Sequence, residues 1–488
     1  MFQTACPSCG ANVSFRSATS AMAVCEYCHS TLLREADAVR DAGKMSAIIE
    51  DYSPIQITAC GMCAGQAFQV IGRIQLRYED GFWNEWYIWL DDGKTGWLSD
   101  ASGQYVVSFQ DGIAEEAQAF AELVPGSTYL YKDNVYFASD VRTARCVAGE
   151  GELPFQVGQG WEAKVADFRT GTQFLTLDYS EQTPPERFTG KAYTLDELKM
   201  ERLRDDSLIL EKAGKIKGKT TSLACPSCGS TLSYQAGAAF HLVCPGCSSE
   251  IDCSTDQALV LEKHTQQSNV TSTLKLGDVA KIQGVEWQLI GQMKCQEPDP
   301  EEPSTWWEYL LYHPNKGFMW LIETDEGWEQ VRVLDNWPTR ISGNQMPYQN
   351  TTFTHLYDYP SKVIYAAGAF NWRVKVGDQT RISDYQKGDQ KLTLETSASE
   401  LNWSMAKKVP AQTVGEWFGK PLAAPEKSSG STSSISGSPL FGIAKTITWV
   451  FIGVNLAVWE SYDGSLMVIV AGLVLLWLPV LVSLGRDK

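Results

Sequence analysis

The chain has 488 residues, enough for three or four domains, and a formal net charge of −17. Its 44% hydrophobic content, with 17 tryptophans, is that of a folded protein and excludes a disordered one. The acidic balance argues against nucleic acid as a partner, because proteins that grip phosphate backbones present a net basic face.

Met1–Phe2–Gln3–Thr4 runs straight into a cysteine motif, so the start reads without the basic stretch and apolar core of a secretory signal. Residues 1–34 read as a zinc ribbon. Cys6 and Cys9 form one CxxC knuckle, and Cys25 and Cys28 form a second after a 15-residue gap. Tight CxxC turns present two thiolates each, which together complete a tetrahedron around Zn²⁺. A short helix is expected over Glu35–Glu50. A β domain is expected over 52–192. In it Phe68, Val70, Gly72, Ile74, Leu76 and Tyr78 alternate as a half-buried strand does. Trp83 to Leu90 is apolar on both faces, Asp91–Asp92–Gly93–Lys94 is a hairpin turn, and Gly96–Trp97–Leu98 starts the return strand. Further strands are expected at Tyr105–Phe109, Glu162–Phe168 and Thr172–Tyr179, and a short helix at Glu115–Leu123. The capping box Thr194-x-x-Glu197 predicts a connecting helix over 193–218.

A second zinc ribbon follows at 219–256, with Cys225, Cys228, Cys244 and Cys247 at the same spacing, and a second β domain at 270–420. CPSCG occurs in both ribbons at an offset of 219 residues. Beyond the ribbons, Trp83, Glu85 and Trp97 match Trp306, Glu308 and Trp320 at an offset of 223. Asp167 and Leu175–Thr176–Leu177 match Asp384 and Leu392–Thr393–Leu394 at 217. One ribbon-plus-β unit has been copied once, which is too long a period for a solenoid. The Ser/Gly-rich stretch 425–439 is a flexible linker. Residues 440–485 read as two transmembrane helices, since Leu466 to Gly485 is uncharged and long enough to cross a core of about 30 Å. Lys445, Arg486 and Lys488 flank one side and Glu460 and Asp463 the other. By the positive-inside rule this puts both termini and the main body in the cytoplasm, at the inner membrane. The expected fold class is mainly β (α+β): a tandem repeat of zinc ribbon plus antiparallel β domain, with a C-terminal transmembrane hairpin.

Ten of the 13 cysteines fall in CxxC pairs, a usage that fits metal binding in a reducing compartment. Two structural Zn²⁺ ions are expected, because a closed four-cysteine set leaves no coordination position for substrate. Cys60 and Cys63 form a fifth CxxC, but Val279 and Ile282 replace them in the second copy, which favours a place in a β core over a redox or metal pair. No nucleophile–base pair or phosphate loop accompanies the carboxylates, so no catalytic residue is assigned and the chain is not expected to be an enzyme. Trp83, Glu85, Trp86 and Asp167 are the candidate ligand or partner surface; aromatic residues at strand spacing are more often core.

The runs TACPSCGANVSFRSATSAMAVCEYCHSTLLRE and VIGRIQLRYEDGFWNEWYIWLDDGKTGWLSDASGQY, with GELPF and ADFR further on, resemble the bacterial domain-of-unknown-function 4178 family. The resemblance covers the first unit and, more weakly, the second, which lacks the GRIQLRY and DDG runs. It implies an accessory component of a membrane-associated system, of the kind encoded near polyamine-synthesis enzymes and small membrane proteins, and it supplies no catalytic residue. The expectation is a membrane-anchored, zinc-binding scaffold that meets other proteins of the same system and no nucleic acid. The rival is a small-molecule sensor or enzyme with a tryptophan-lined pocket between the β domains.

Overall fold

The computed structural model describes residues 2–422 except for short stretches, of which 46–52, 206–221, 234–240, 253–258 and 263–270 are the longest. The described residues belong to one compact unit. They form antiparallel sheets throughout. The first β domain is an eight-stranded barrel built from two four-stranded meanders. One contains β1 (Gln66–Tyr78), β2 (Gly81–Leu90), β3 (Thr95–Ala101) and β4 (Gln104–Ile113). The other contains β5 (Asn134–Leu153), β6 (Trp161–Thr170), β7 (Gln173–Asp178) and β8 (Glu186–Tyr193). Pairing of β4 with β8 and of β5 with β1 closes the cylinder. The second domain repeats this with β9 (Val285–Gln296), β10 (Thr305–His313), β11 (Gly317–Thr324), β12 (Gly327–Val333), β13 (Thr351–Phe370), β14 (Gln379–Lys387), β15 (Gln390–Thr396) and β16 (Leu401–Val409).

Closure depends on the 20-residue strand β5. Its first residues pair with Thr128–Tyr131, its middle with β6, the run Arg145–Gly151 with β1, and its end with the ribbon. Strand β13 does the same in the second copy. At the seam Gly72 faces Gly151, and Gly291 faces Gly368. The backbones approach so closely that a Cβ on Gly72 would lie 1.8 Å from the carbonyl oxygen of Glu152.

The ribbons dock by sheet extension. Met22 and Ala23 pair with Leu153 and Glu152, and His241–Val243 pairs with Gly368–Phe370. Buried Glu152 accepts from the backbone N–H groups of Arg16 (2.6 Å) and Ser17 (3.1 Å) and from the Ser20 hydroxyl (2.9 Å), which clasps the first ribbon. In the second copy, Glu250 of the ribbon pairs with Arg373 at 3.1 Å.

Much of the apolar core lies outside the barrel wall. On β2, Trp86, Ile88 and Leu90 point outward and are covered by Ile55, Ala59, Cys63 and Leu198. Phe168, Leu175 and Leu177 point outward under Ala114, Leu123 and Tyr129. The strand read as apolar on both faces is so because one face packs this outer layer and the other faces the lumen.

Several helices expected from sequence are not helices. Ala38–Lys44 is a strand paired with Ser30–Glu35, completing the ribbon sheet. Over Glu115–Leu123 only a 3₁₀ turn at Phe120–Glu122 forms. The capping box at Thr194 does form, with Glu197 N–H donating to Thr194 Oγ1 at 3.2 Å. However, the chain then turns to pack Leu198 against the Cys60–Cys63 strand, with Met62 N–H donating to the Leu198 carbonyl at 2.7 Å. The rest of the expected connecting helix lies outside the described residues. An unforeseen helix, α1 (Ala411–Phe418), buries Ala411, Val414, Gly415 and Phe418 against the second barrel.

The inner-membrane placement is corrected. No helix among the described residues is long and apolar enough to cross a membrane. The eight residues of α1 span about 12 Å against the roughly 30 Å required. The linker 425–439 and the two spans expected over 440–485 lie outside the described residues.

Gly72→Ala is expected to destabilise the protein by more than about 3 kcal/mol, through forced separation of the seam. Gly93→Asn, at an open hairpin turn with φ +85°, should cost less than about 1 kcal/mol. Urea unfolding midpoints would check both.

Candidate functional site

Each ribbon brings its four cysteines together. Within each set, Cys6/Cys9/Cys25/Cys28 and Cys225/Cys228/Cys244/Cys247, the sulfurs all lie within 4.8 Å of one another. The Cys6–Cys28, Cys9–Cys25, Cys225–Cys247 and Cys228–Cys244 sulfurs are 3.7 Å apart. This is too long for a disulfide. It matches the edge of a tetrahedron with metal–sulfur bonds of about 2.3 Å, which is about 3.8 Å. Gly10 and Gly229, both at φ +77°, make the tight turn after each first knuckle. The donor set fits a closed tetrahedral ion, consistent with zinc. Cys60 and Cys63 sit three apart on a strand, which sends them to opposite faces. Cys63 is buried with its thiol 3.6 Å from the Tyr193 hydroxyl, and Cys60 pairs through its backbone with Glu201.

The barrels enclose the second feature. A cavity of about 1820 Å³ is lined by inward residues of both barrels. Trp83, Glu85 and Asp167 face it together, and Trp86 does not. Trp86 lies on the opposite side of β2, fully buried, with the Arg73 guanidinium 4.6 Å from its ring centre. The cavity takes in inward positions of both barrels together with residues at their junction, among them Arg142 and Glu400, so the expected tryptophan-lined pocket between the domains keeps Trp83 and Glu85 and loses Trp86. Alternation along β2 decides it: residues 83 and 85 share a face that residue 86 cannot.

Glu85 is held as a double acceptor. The Trp83 indole N–H donates to one oxygen at 2.8 Å and the Ser99 hydroxyl to the other at 2.6 Å. The Thr176 hydroxyl donates to Asp167 at 2.6 Å. Burial pushes Glu85 up to about 7, against those hydrogen bonds, and also raises Asp167. Ribbon 1 sits over an aromatic end where Trp97, Phe155 and Trp161 pack, with Phe155 parallel to Trp97 and edge-on to Trp161. Ribbon residue Thr19 reaches Tyr87 there at 2.9 Å.

Sequence reasoning missed Arg142, which also lines the lumen. It lies over Tyr78 at 4.0 Å and pairs with Asp140 and, from the second barrel, Glu400. No periodicity marks it, because its partner comes from another domain. Thr176 and Thr393 were visible in the matched Leu-Thr-Leu runs. Their role was not, since only the fold puts each beside its aspartate.

A duplicated eight-stranded barrel with a mixed polar and aromatic lumen and a four-cysteine ribbon ahead of each copy is the class these observations define. Residues 56–194 and 275–411, more than half the chain, match the family described as "Domain of unknown function (DUF4178)", and the chain belongs to that family. The matched segments are the two barrels; the ribbons precede them. No curated protein and no solved structure matches the chain.

Metal analysis of the purified chain should give about two zinc ions per molecule. Cys6→Ser should remove about one and leave the second ribbon loaded. A wild-type content below one would contradict the tetrahedral reading. For Glu85, the folded carboxyl titrates near 7 while the unfolded one titrates at 4.5. Between those values the folded state holds the extra proton, so this group's contribution to stability falls as pH rises from about 4.5 to 7. The melting temperature of the wild type relative to Glu85→Gln should therefore decline across that window, and a difference that does not fall with pH would contradict it.

Proposed function

We propose that this is a non-catalytic binding protein, an accessory sensor or carrier whose first barrel takes a small molecule in its lumen, with the zinc ribbons as braces. One observation carries the reading. Trp83, Glu85 and Asp167 face one cavity inside a barrel that packs much of its core on its outer wall and keeps an inner apolar cluster at its ribbon end. Eight-stranded barrels are either filled by side chains or hold one ligand. Here the lumen combines an aromatic end with fixed polar groups, the usual composition of a small-molecule site. Binding is favoured over catalysis because both oxygens of Glu85 are engaged by donors from its own wall. That makes it a rigid acceptor rather than a free proton carrier.

Indole is a suitable neutral aromatic probe. Calorimetry should show saturable binding to the full chain, weakened at least about tenfold by Val165→Phe, which fills the lumen. Absence of saturable binding, or binding unchanged by that substitution, would rule out the first lumen as the site.

A further inference from the structure

The two barrels are copies, but their interiors differ in how charge is compensated. Both keep the Trp-x-Glu hydrogen bond, with the Trp306 indole donating to Glu308 at 2.7 Å, and both keep the Thr–Asp bond, Thr393 to Asp384 at 2.6 Å. The second copy then departs. Where the first has Phe174 it has Lys391, whose ammonium lies 2.8 Å from Glu329 and 3.4 Å from Asp384. That lysine neutralises the aspartate. Where the first has Asp178 it has Glu395, one methylene longer. The residue paired with the conserved threonine changes from Phe188 to Ser404.

The result is two carboxylates with no ion-pair partner: Lys391 acts on both only at longer range, its ammonium being held by Glu329 and Asp384. Glu308 on β10 and Glu395 on β15 stand on opposite walls, with three strands between them in either direction, and both face the cavity. Among the described residues no basic side chain forms an ion pair with either, and no side chain donates to Glu395. Glu395 is exposed even though it lies deep in the barrel, because the surface it presents is lumen. Ser404, on the next strand, lines the same space. It is 5% exposed, and its hydroxyl has no hydrogen-bond partner. A buried hydroxyl left unpaired costs free energy that a donor from a ligand would recover. Beside the acids, Trp320 and Trp372 lie 5.5 Å apart. Trp320 is one inward step along β11 from Ile322, the residue paired with Glu308.

We infer that the second barrel is a separate binding site for an organic ammonium ion, whose charged group sits between Glu308 and Glu395, donates also to Ser404, and leaves its hydrocarbon part on Trp320 and Trp372. A divalent metal fits less well. It needs about six oxygens in close array, and here two carboxylates come from opposite walls beside tryptophans. An ammonium carries several N–H donors and suits an aromatic surface. Burial, the facing Glu308, and Asp384 and Glu400 push Glu395 up to about 8 against the opposing charge of Lys391, so a bound cation displaces a proton and binding tightens with pH. The acids, the hydroxyl and the tryptophans are all second-barrel residues, so the inference stands apart from the first-barrel reading although one cavity is lined by both.

Butylammonium chloride is the probe, with butanol and butyrate as neutral and anionic matches. Calorimetry on the full chain should show saturable butylammonium binding that strengthens from pH 6 to pH 8.5, about tenfold per unit at most, and none for butanol or butyrate. Glu395→Gln should weaken it at least about tenfold. Ser404→Phe, which restores the first copy's residue, should abolish it, with melting curves confirming that each variant folds. No saturable uptake of butylammonium, equal uptake of butyrate, preferential binding of Mg²⁺, or undiminished affinity in both variants would overturn the site. The first-barrel reading is judged separately, on indole and Val165→Phe.

Discussion

Barrel closure rests on the hydrogen bonds that one long strand makes to four successive neighbours. Strand β5 passes from a short hairpin to β6, then to β1, then to the ribbon, and β13 repeats the sequence. A single strand can serve so many partners only if it bends sharply. The bend is where register shifts, between Cys146 and Ala148, and where facing glycines let two backbones meet. The position of the ribbon, the enclosure of the lumen and the approach of the second barrel to Arg142 all follow from the course of this strand.

Placing carboxylates and hydroxyls in a lumen carries a free-energy cost that these barrels offset on their outer faces. Segments before β1, after β4 and after β8 wrap the wall and bury Trp86, Phe168 and Leu175 between cover and sheet. The strands are therefore sandwiched, with an apolar layer outside and a mixed one inside. This departs from the usual small barrel, whose side chains fill its own centre: here inward apolar packing is concentrated where Ile74, Leu76 and Tyr87 meet Trp97 and Phe155. It frees inward positions for carboxylates, hydroxyls and tryptophans. The duplication then allowed one lumen to change charge compensation while its wall stayed intact, as Lys391 and Ser404 show.

The hairpin from Phe68 to Leu98, both ribbons and the copying of the whole unit are legible in the sequence, because alternation, turn residues and cysteine spacing are local signals. The length of β5 is not. Its residues Asn134–Leu153 change partner three times, so no single alternation runs through them. Helices expected at Glu35 and Glu115 fail for a related reason: tertiary pairing in the ribbon sheet and packing over Phe168 outweigh weak local preference. Helix α1 could have been found from its buried spacing at positions 411, 414, 415 and 418 and from Gly419, at φ +63°, after its end. For the site, Trp83, Glu85 and Asp167 are marked by register between copies, whereas Trp86 enters only as one of several tryptophans on the same strand and has Tyr309 in its place in the second copy. Only the three-dimensional course of the chain reveals Arg142, Glu395 and Ser404 as neighbours of those acids.

The docking of each ribbon onto the outgoing end of the long strand has a consequence for behaviour in a crowded solution. An overhang beyond a closed barrel would display a ladder of unpaired N–H and C=O groups, an invitation to pair with another molecule. In the first copy the ribbon occupies that ladder, and its own outer strand, Ala38–Lys44, carries Arg40, Asp41 and Lys44. The ribbon thereby acts as a stopper against strand-to-strand aggregation, and the integrity of its four-cysteine cluster becomes a condition of colloidal stability as well as of local shape.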